Sequence, residues 1–302
     1  MNELAERVRF FFLSAAGSEQ YIRREIMKKS FLICSAAAIC MLAACSSSAD
    51  ADRKNDESAT QSDPAEKTTF TVGFDAEFPP YGYKDENGEY TGFDLEMAQA
   101  VADLEGWELV KQPIDWDAKD MELSSGTIDC IWNGFTMDGR EDEYTFSDPY
   151  IDNSQVFVVP ADADITTAED LAGLNVGVQK DSSALAALES DENKALMDSF
   201  GSLTQYGDYN TAFMDMEAGG IDAVALDVGV ADYQIENRSG EFRKLEKPLA
   251  SEKYAIGFLK GNDQLRDTVQ ADVYKLYDDG TVQKLAEKYG LTDFIVIDQY
   301  KK

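Results

Sequence analysis

From residue 69 onward, β-prone runs alternate with segments of helical spacing. Thr69–Phe74 reads as a strand, and the Asn87-Gly88 pair within residues 81–90 supplies turn chemistry. Asp94 is expected to cap a helix in which Met97, Val101 and Leu104 recur at helical spacing and which Gly106 ends. Strands are expected at 107–110 and 128–132, with a short helix through Met121 and Leu123 between them that stops near Gly126. The later half repeats the device. A strand at 174–178 leads to a helix at 182–190, and a helix through Phe213 and Met216 stops at Gly219-Gly220 before a strand at 221–226. Helices at 267–277 and 282–289 close the chain. The echo is visible in the residues, Leu123-Ser124-Ser125-Gly126-Thr127-Ile128-Asp129 beside Met216-Glu217-Ala218-Gly219-Gly220-Ile221-Asp222. Strand–helix–strand units give parallel sheets. A length of 302 residues suits about two such units better than one very wide sheet. An α/β fold of two lobes is the expectation.

The N-terminal stretch has a different pattern. Met27-Lys28-Lys29 precedes an apolar run from Phe31 to Met41, and Leu42-Ala43-Ala44-Cys45 follows. A basic end, a short apolar stretch and small residues before a cleavage point describe a secretory signal over 27–44. The Leu-Ala-Ala-Cys ending resembles the bacterial lipobox, which implies acylation of Cys45. Residues 45–67 are polar and acidic and read as a lipidated cysteine followed by a flexible tether. Residues 1–26 place Arg23, Arg24 and Glu25 upstream of the signal's basic end, so translation is expected to begin at Met27.

Charge and composition narrow the function. Lys plus Arg number 27 against 58 Asp plus Glu, a net charge of −31, which repels phosphate backbones and makes nucleic acid an unsuitable partner. The chain has no histidine, which removes Ser-His-Asp and Cys-His nucleophile systems and His-ligated zinc or haem. No cofactor or metal is expected. Three of the four cysteines lie at or before position 45, so the downstream Cys130 is left without a disulfide framework.

In open α/β sheets ligands bind beyond the carboxyl ends of the strands. Those places follow Phe74, Trp132, Val178 and Leu226. They hold Asp75 and Phe78, then Gly134, Thr136 and Arg140, then Ser182 and Ser183, then Asp227. A cation, carboxylates, hydroxyls and an aromatic are the complement of a small zwitterion. Each has a plainer reading: Arg140 as a surface partner of Glu141 or Glu143, Asp227 as a turn residue, Phe78 and Trp116 as core. Asp129 and Asp222 read as turn or cap structure.

The same residues give the chain a resemblance to the family 3 extracellular solute-binding proteins, the polar amino-acid receptors of ABC importers. The carriers are the run from Val72-Gly73-Phe74-Asp75 to Pro80-Tyr81, Gly92-Phe93-Asp94-Leu95, Ile128-Asp129 through Gly134-Phe135-Thr136, Phe146-Ser147-Asp148-Pro149-Tyr150, Val176-Gly177-Val178 and Ile221-Asp222-Ala223. The resemblance covers residues 70–289. It implies that Phe78 and Trp116 sandwich the ligand and that Arg140 holds its α-carboxylate through a planar fork. Gly134 and Thr136 stand beside that contact, Ser183 adds a hydroxyl with Ser182 as neighbour, and Asp227 pairs with the α-ammonium. Asp75 and Gln179 fall at the ligand's side chain. The run from Thr136 to Arg140 is one residue shorter than the family's usual run.

The function so implied is not enzymatic. A monomeric, extracytoplasmic protein, lipid-anchored to the bacterial cell membrane, captures a polar amino acid with a neutral or cationic side chain and presents it to ABC permease subunits. The expected first lobe is 68–153 plus 252–302 and the second is 154–251, joined by a hinge that closes on the ligand. The rivals on the same scaffold are a cyclic-acid dehydratase using Asp75 or Glu77 as an acid, and an extracellular amino-acid sensor.

Overall fold

A computed structural model describes residues 67–238 and 240–301. The expected signal, Cys45 with its expected acylation and most of the expected tether lie outside the described residues. In chain order the strands are β1 (Thr69–Phe74), β2 (Glu77–Phe78), β3 (Gly82–Lys84), β4 (Tyr90–Thr91), β5 (Glu108–Pro113), β6 (Cys130–Ile131) and β7 (Tyr144–Phe146). They continue as β8 (Ile151–Pro160), β9 (Asn175–Gln179), β10 (Ser202–Tyr206), β11 (Ala223–Asp227), β12 (Phe242–Lys244), β13 (Ala250–Tyr254) and β14 (Gly257–Leu259). The helices are α1 (Phe93–Glu105), α2 (Lys119–Ser124), α3 (Ser183–Glu189), α4 (Lys194–Met197), α5 (Tyr209–Glu217), α6 (Val228–Asn237), α7 (Asp263–Asp278), α8 (Thr281–Lys288) and α9 (Ile297–Tyr300). No helix among the described residues is long and apolar enough to cross a membrane.

Each lobe has its own sheet. The first runs β5-β1-β6-β14-β7, with β1 parallel to both neighbours and β14 antiparallel to its own. The second runs β10-β9-β11-β8-β12, with β13 paired to the other half of β8. Central β1 buries Phe70, Val72 and Phe74, which share one face of the strand, completely. In the second sheet period-two alternation sends Val156, Val158, Val224 and Leu226 to one apolar cluster and Phe157, Val159, Ala223 and Ala225 to another. The echoed aspartates perform the same task twice. Asp129 Oδ2 accepts from the Thr71 N–H at 2.7 Å, and Asp222 Oδ2 accepts from the Asn175 N–H at 2.8 Å. Each ties the start of its lobe's leading parallel strand to the approach of the next.

Several sequence expectations shift. Asp94 is not a helix cap: Gly92 holds that position without a side-chain hydrogen bond. A Cβ at Gly92 would stand 2.2 Å from the Tyr81 carbonyl oxygen, at φ +132, so only glycine fits. Asp94 is instead buried within α1, accepting from the Gly134 N–H at 2.6 Å and the Tyr150 hydroxyl at 2.8 Å. Leu104 is 49% exposed and does not join the core face. Several elements escape sequence reading, among them β8, β10 and α6. β8 runs a polar stretch, Asp152 to Gln155, straight into an apolar one; β10 is mostly exposed; and α6 starts at the residue after β11 with no intervening loop.

The chain crosses between the sheets along β8 and β13. They pair antiparallel with Asn153 opposite Glu252 and Gln155 opposite Ala250. Gln155 also faces Asp227 of β11 in the ladder on its other side.

Burial pushes Asp94 up to about 7, opposed by the Gly134 N–H, the Tyr150 hydroxyl and the Trp132 indole. Asp94→Ala leaves the Gly134 N–H and Tyr150 hydroxyl without acceptors, at about 1–3 kcal/mol each. The urea midpoint is expected to fall correspondingly at unchanged m value, with Asp94→Asn losing clearly less.

Candidate functional site between the lobes

Strand ends place the chemistry. β1 ends beside Asp75, and Phe78 follows in β2. Trp116 opens a single 3₁₀ turn after β5, Gly134 and Thr136 follow β6, and Gln179 is the last residue of β9. Ser182 caps α3, its hydroxyl accepting from the Leu185 N–H at 3.2 Å. Asp227 ends β11.

Two adjoining cavities result. The inner one is a narrow recess of about 10 Å³ lined by Phe78, Trp116, Asn133, Gly134, Gln179, Ser182, Ser183 and Asp227. The outer one, larger and partly open to solvent, is bordered by Thr136 and Arg140 from the first lobe, Asp181 to Ser183 from the second, and Glu252 of β13. The two serines belong to both. Between the cavities stands a polar bridge: Ser183 Oγ donates to Thr136 Oγ1 at 2.7 Å, and Arg140 Nη1 reaches Ser183 Oγ at 3.3 Å and the Thr136 carbonyl at 3.2 Å. The guanidinium lies 5.0 Å from the Phe135 ring centre. Arg140 is in no ion pair among the described residues, so Glu141 and Glu143 are not its partners.

Gly134 is required twice. Its φ is +57, and a Cβ there would lie 2.8 Å from the Tyr254 ring and 2.9 Å from the Phe78 ring. Asp75 stands behind Gln179 rather than on either cavity, accepting from Gln179 Nε2 at 2.6 Å and from the Glu77 N–H at 2.8 Å. Burial pushes its carboxyl up to about 6; the Glu77 N–H and Gln179 oppose the shift, and the charges of Asp208 and Glu77 add to it.

Asp227 is not a turn residue. Its Oδ1 accepts from Asn153 Nδ2 at 2.9 Å, from Gln155 Nε2 at 2.7 Å and from the Tyr254 hydroxyl. Burial raises it, against those donors. Glu252 accepts from the same two amides, at 2.6 Å from Asn153 and 2.7 Å from Gln155. Burial first, then the Asp227 charge, pushes Glu252 up to about 8.

Sequence reading missed Asn133, Glu252, Asn153 and Gln155 as site residues. It also missed Lys119, a buried cation 5.2 Å from the Trp116 ring centre. Two reciprocal ion pairs join the lobes here, Lys119 with Asp181 and Lys180 with Asp117. The available signal was their spacing: Asp117 and Lys119 flank a helix start, while Lys180 and Asp181 directly follow β9.

Against known sequences, the bacterial extracellular solute-binding proteins, family 3, match over residues 70–292. The L-cystine-binding protein TcyJ of Escherichia coli (strain K12) is 30% identical over 227 residues, covering 74% of this chain and 83% of TcyJ. A substrate-binding protein of an ABC uptake transporter from Streptococcus pneumoniae, solved with bound histidine, superposes with a TM-score of 0.70 at 34% identity, covering 73% of this chain and 92% of that one. An ancestral arginine-binding protein bound to glutamine gives 0.69 at 32% identity, covering 74% and 99%.

A carboxyl that is raised in the folded protein is ionised first in the unfolded chain, so its contribution to stability falls as pH rises from about 4 to about 6 for Asp75. Asp75→Asn removes that loss, roughly 2–4 kcal/mol over the interval. Urea unfolding of the ligand-free parent and variant at pH 4, 5 and 6 measures the difference, which should widen with pH.

Proposed function

We propose that this chain, which belongs to the bacterial extracellular solute-binding proteins of family 3, captures a polar amino acid with a neutral or cationic side chain between its lobes and hands it to the permease of an ABC importer. The observation that carries this reading is the bridge between the cavities. Arg140 and Thr136 from one lobe and Ser183 from the other converge on one point, with Asp227 on the wall of the adjoining cavity. A guanidinium and hydroxyls suit a carboxylate, and a carboxylate suits an ammonium; the two together suit an amino acid's backbone.

The remaining roles follow from position. Phe78 and Trp116 are the apolar walls of the side-chain space, and Gly134 lets backbone approach the ligand closely. Ser182 orients α3 behind Ser183. Gln179 presents an amide, backed by Asp75, Glu77 and Asp208, whose mutual repulsion favours a cationic or neutral ligand side chain. Lys119 does not reverse this preference, because its charge is matched by Asp181. The lobes move about β8 and β13, and the contacts of Ser183 with Thr136 and Arg140 exist only when the lobes meet. The protein acts as a monomer, held outside the cytoplasm through acylated Cys45, a role supported by the Leu42-Ala43-Ala44-Cys45 sequence. Asp75, the acid that the dehydratase reading would use, lies behind Gln179 and lines neither cavity.

Thermal shift against the twenty amino acids and cystine tests the ligand class. A Kd of about 1 μM with a hundredfold excess is expected to add roughly 2.7 kcal/mol of stability. Stabilisation by aspartate and glutamate alone overturns the side-chain assignment. For the best stabiliser, Arg140→Ala is expected to cost about 2–5 kcal/mol of binding, roughly thirty- to several-thousand-fold, with exposed Glu141→Ala as the control. Titration calorimetry reads both, and parental affinity in Arg140→Ala places the carboxylate elsewhere.

A further inference from the structure

We propose that Glu252 is a second carboxylate of the ammonium subsite, that it shares one proton with Asp227 in the ligand-free protein, and that the ammonium group of a bound amino acid displaces this proton. The proposal rests on the amino-acid reading above and adds to it a residue and a proton.

Three adjacent strands bring the groups to one level. Glu252 on β13 faces Asn153 on β8, and Gln155, two residues along β8, faces Asp227 on β11. Residues two apart on a strand share a face, so Asn153 with Gln155, and Glu252 with Tyr254, point the same way. Each amide then donates to both carboxylates: Asn153 Nδ2 to Asp227 Oδ1 at 2.9 Å and Glu252 Oε1 at 2.6 Å, Gln155 Nε2 to the same two oxygens at 2.7 Å. Two acceptor oxygens that share two donors lie close to one another. The carboxylates are 4% and 8% exposed, and neither has an ion-pair partner among the described residues.

Charge around the pair does not supply the missing cation. Tyr254, Tyr81 and Tyr209 approach it and are held neutral by burial. Asp75 acts on Tyr209 through its charge, and Asp138, Glu143, Asp181 and Glu189 border the outer cavity with Glu252. Arg140 borders that cavity too, but its Nη1 contacts are to Thr136 and Ser183. Lys253, next in sequence, faces Asp152. Two buried like charges at this spacing do not both ionise, so the pair retains a proton.

A second observation is independent of titration. Asn153 Oδ1 and Gln155 Oε1 are also buried and have no donor. The cluster thus has more acceptors than donors, which a group with three N–H donors and a positive charge corrects. Asp227 borders the inner cavity and Glu252 the outer, so the pair stands at the partition that an amino acid's backbone reaches beside Ser183. In the exchange no covalent bond to the ligand forms. The ammonium keeps its three protons, the pair passes from one negative charge to two, and the shared proton leaves to solvent.

Titration calorimetry at pH 6.5 in buffers of different ionisation enthalpy tests this, with L-arginine, L-glutamine and L-cystine as probes. The expected result is release of nearly one proton per amino acid bound, with affinity rising up to tenfold per pH unit between pH 6 and 7.5. In Glu252→Gln, release is expected to fall near zero and affinity to become flat over that range. Carbon-13 spectra of Asp and Glu carboxyls in the ligand-free protein provide a measurement that needs no binding: a titration near pH 8 should be present in the parent and absent in Glu252→Gln. Binding without proton release in the parent, or equal release in the variant, overturns the proposal. Absence of heat with every amino acid removes the amino-acid reading, and this proposal falls with it.

Discussion

The short antiparallel ladder between β8 and β13 sets what the lobes do to one another. A parallel sheet spends its strand side chains on core, so polar groups survive only where strands end. Here the connection between two such sheets is itself a strand pair, with one half of β8 in contact with β13 and the other half with β11 and β12. Five positions of β8–β13 register align Asn153, Gln155 and Glu252, and the β8–β11 ladder sets Asp227 opposite Gln155, without any loop to position them. Bending about this ladder therefore acts directly on the buried carboxyl pair, since both carboxyls accept from the amides of β8 itself.

Buried acids recur wherever the cleft is shaped. Asp94 holds the Gly134 N–H and fixes the loop after β6, while Asp75 holds Gln179 from behind. Neither is matched by a cation among the described residues. A structure built for rigidity alone would replace such groups with apolar ones of similar volume at little cost. Their hydrogen bonds instead aim backbone and amide groups at the space between the lobes, and stability is lowered at neutral pH in exchange for that aim.

Much of this was legible in the sequence, for identifiable reasons. Strand ends marked by Phe74-Asp75 and by Val178 shortly before Ser182 announce themselves because an apolar run stops at a polar residue. The helix from Phe93 was legible through its spacing and Gly106, yet Asp94 resembled a cap because sequence does not reveal that Gly92 is held by the Tyr81 carbonyl. Ser182, Ser183, Gly134 and Asp227, singled out in the sequence with Phe78, Trp116 and Gln179, line one recess. Glu252 was not, because its importance arises from β8–β13 register, and register between segments about a hundred positions apart leaves no local trace. Lys119 was hidden for a similar reason: a lysine beside acidic residues reads as surface, and only the opposing Asp181 lets it be buried.

The two ion pairs across the cleft have unequal surroundings, and this divides the effect of the medium between them. Lys119 is buried while its partner Asp181 is half exposed, whereas both Lys180 and Asp117 meet water. At physiological ionic strength charges in water are screened over about 8 Å, while a buried pair is shielded far less. Salt thus loosens the Lys180 side of the closed cleft more than the Lys119 side. Rising salt therefore favours parting of the lobes from the Lys180 edge, so the medium tilts the opening of the cleft rather than loosening it evenly.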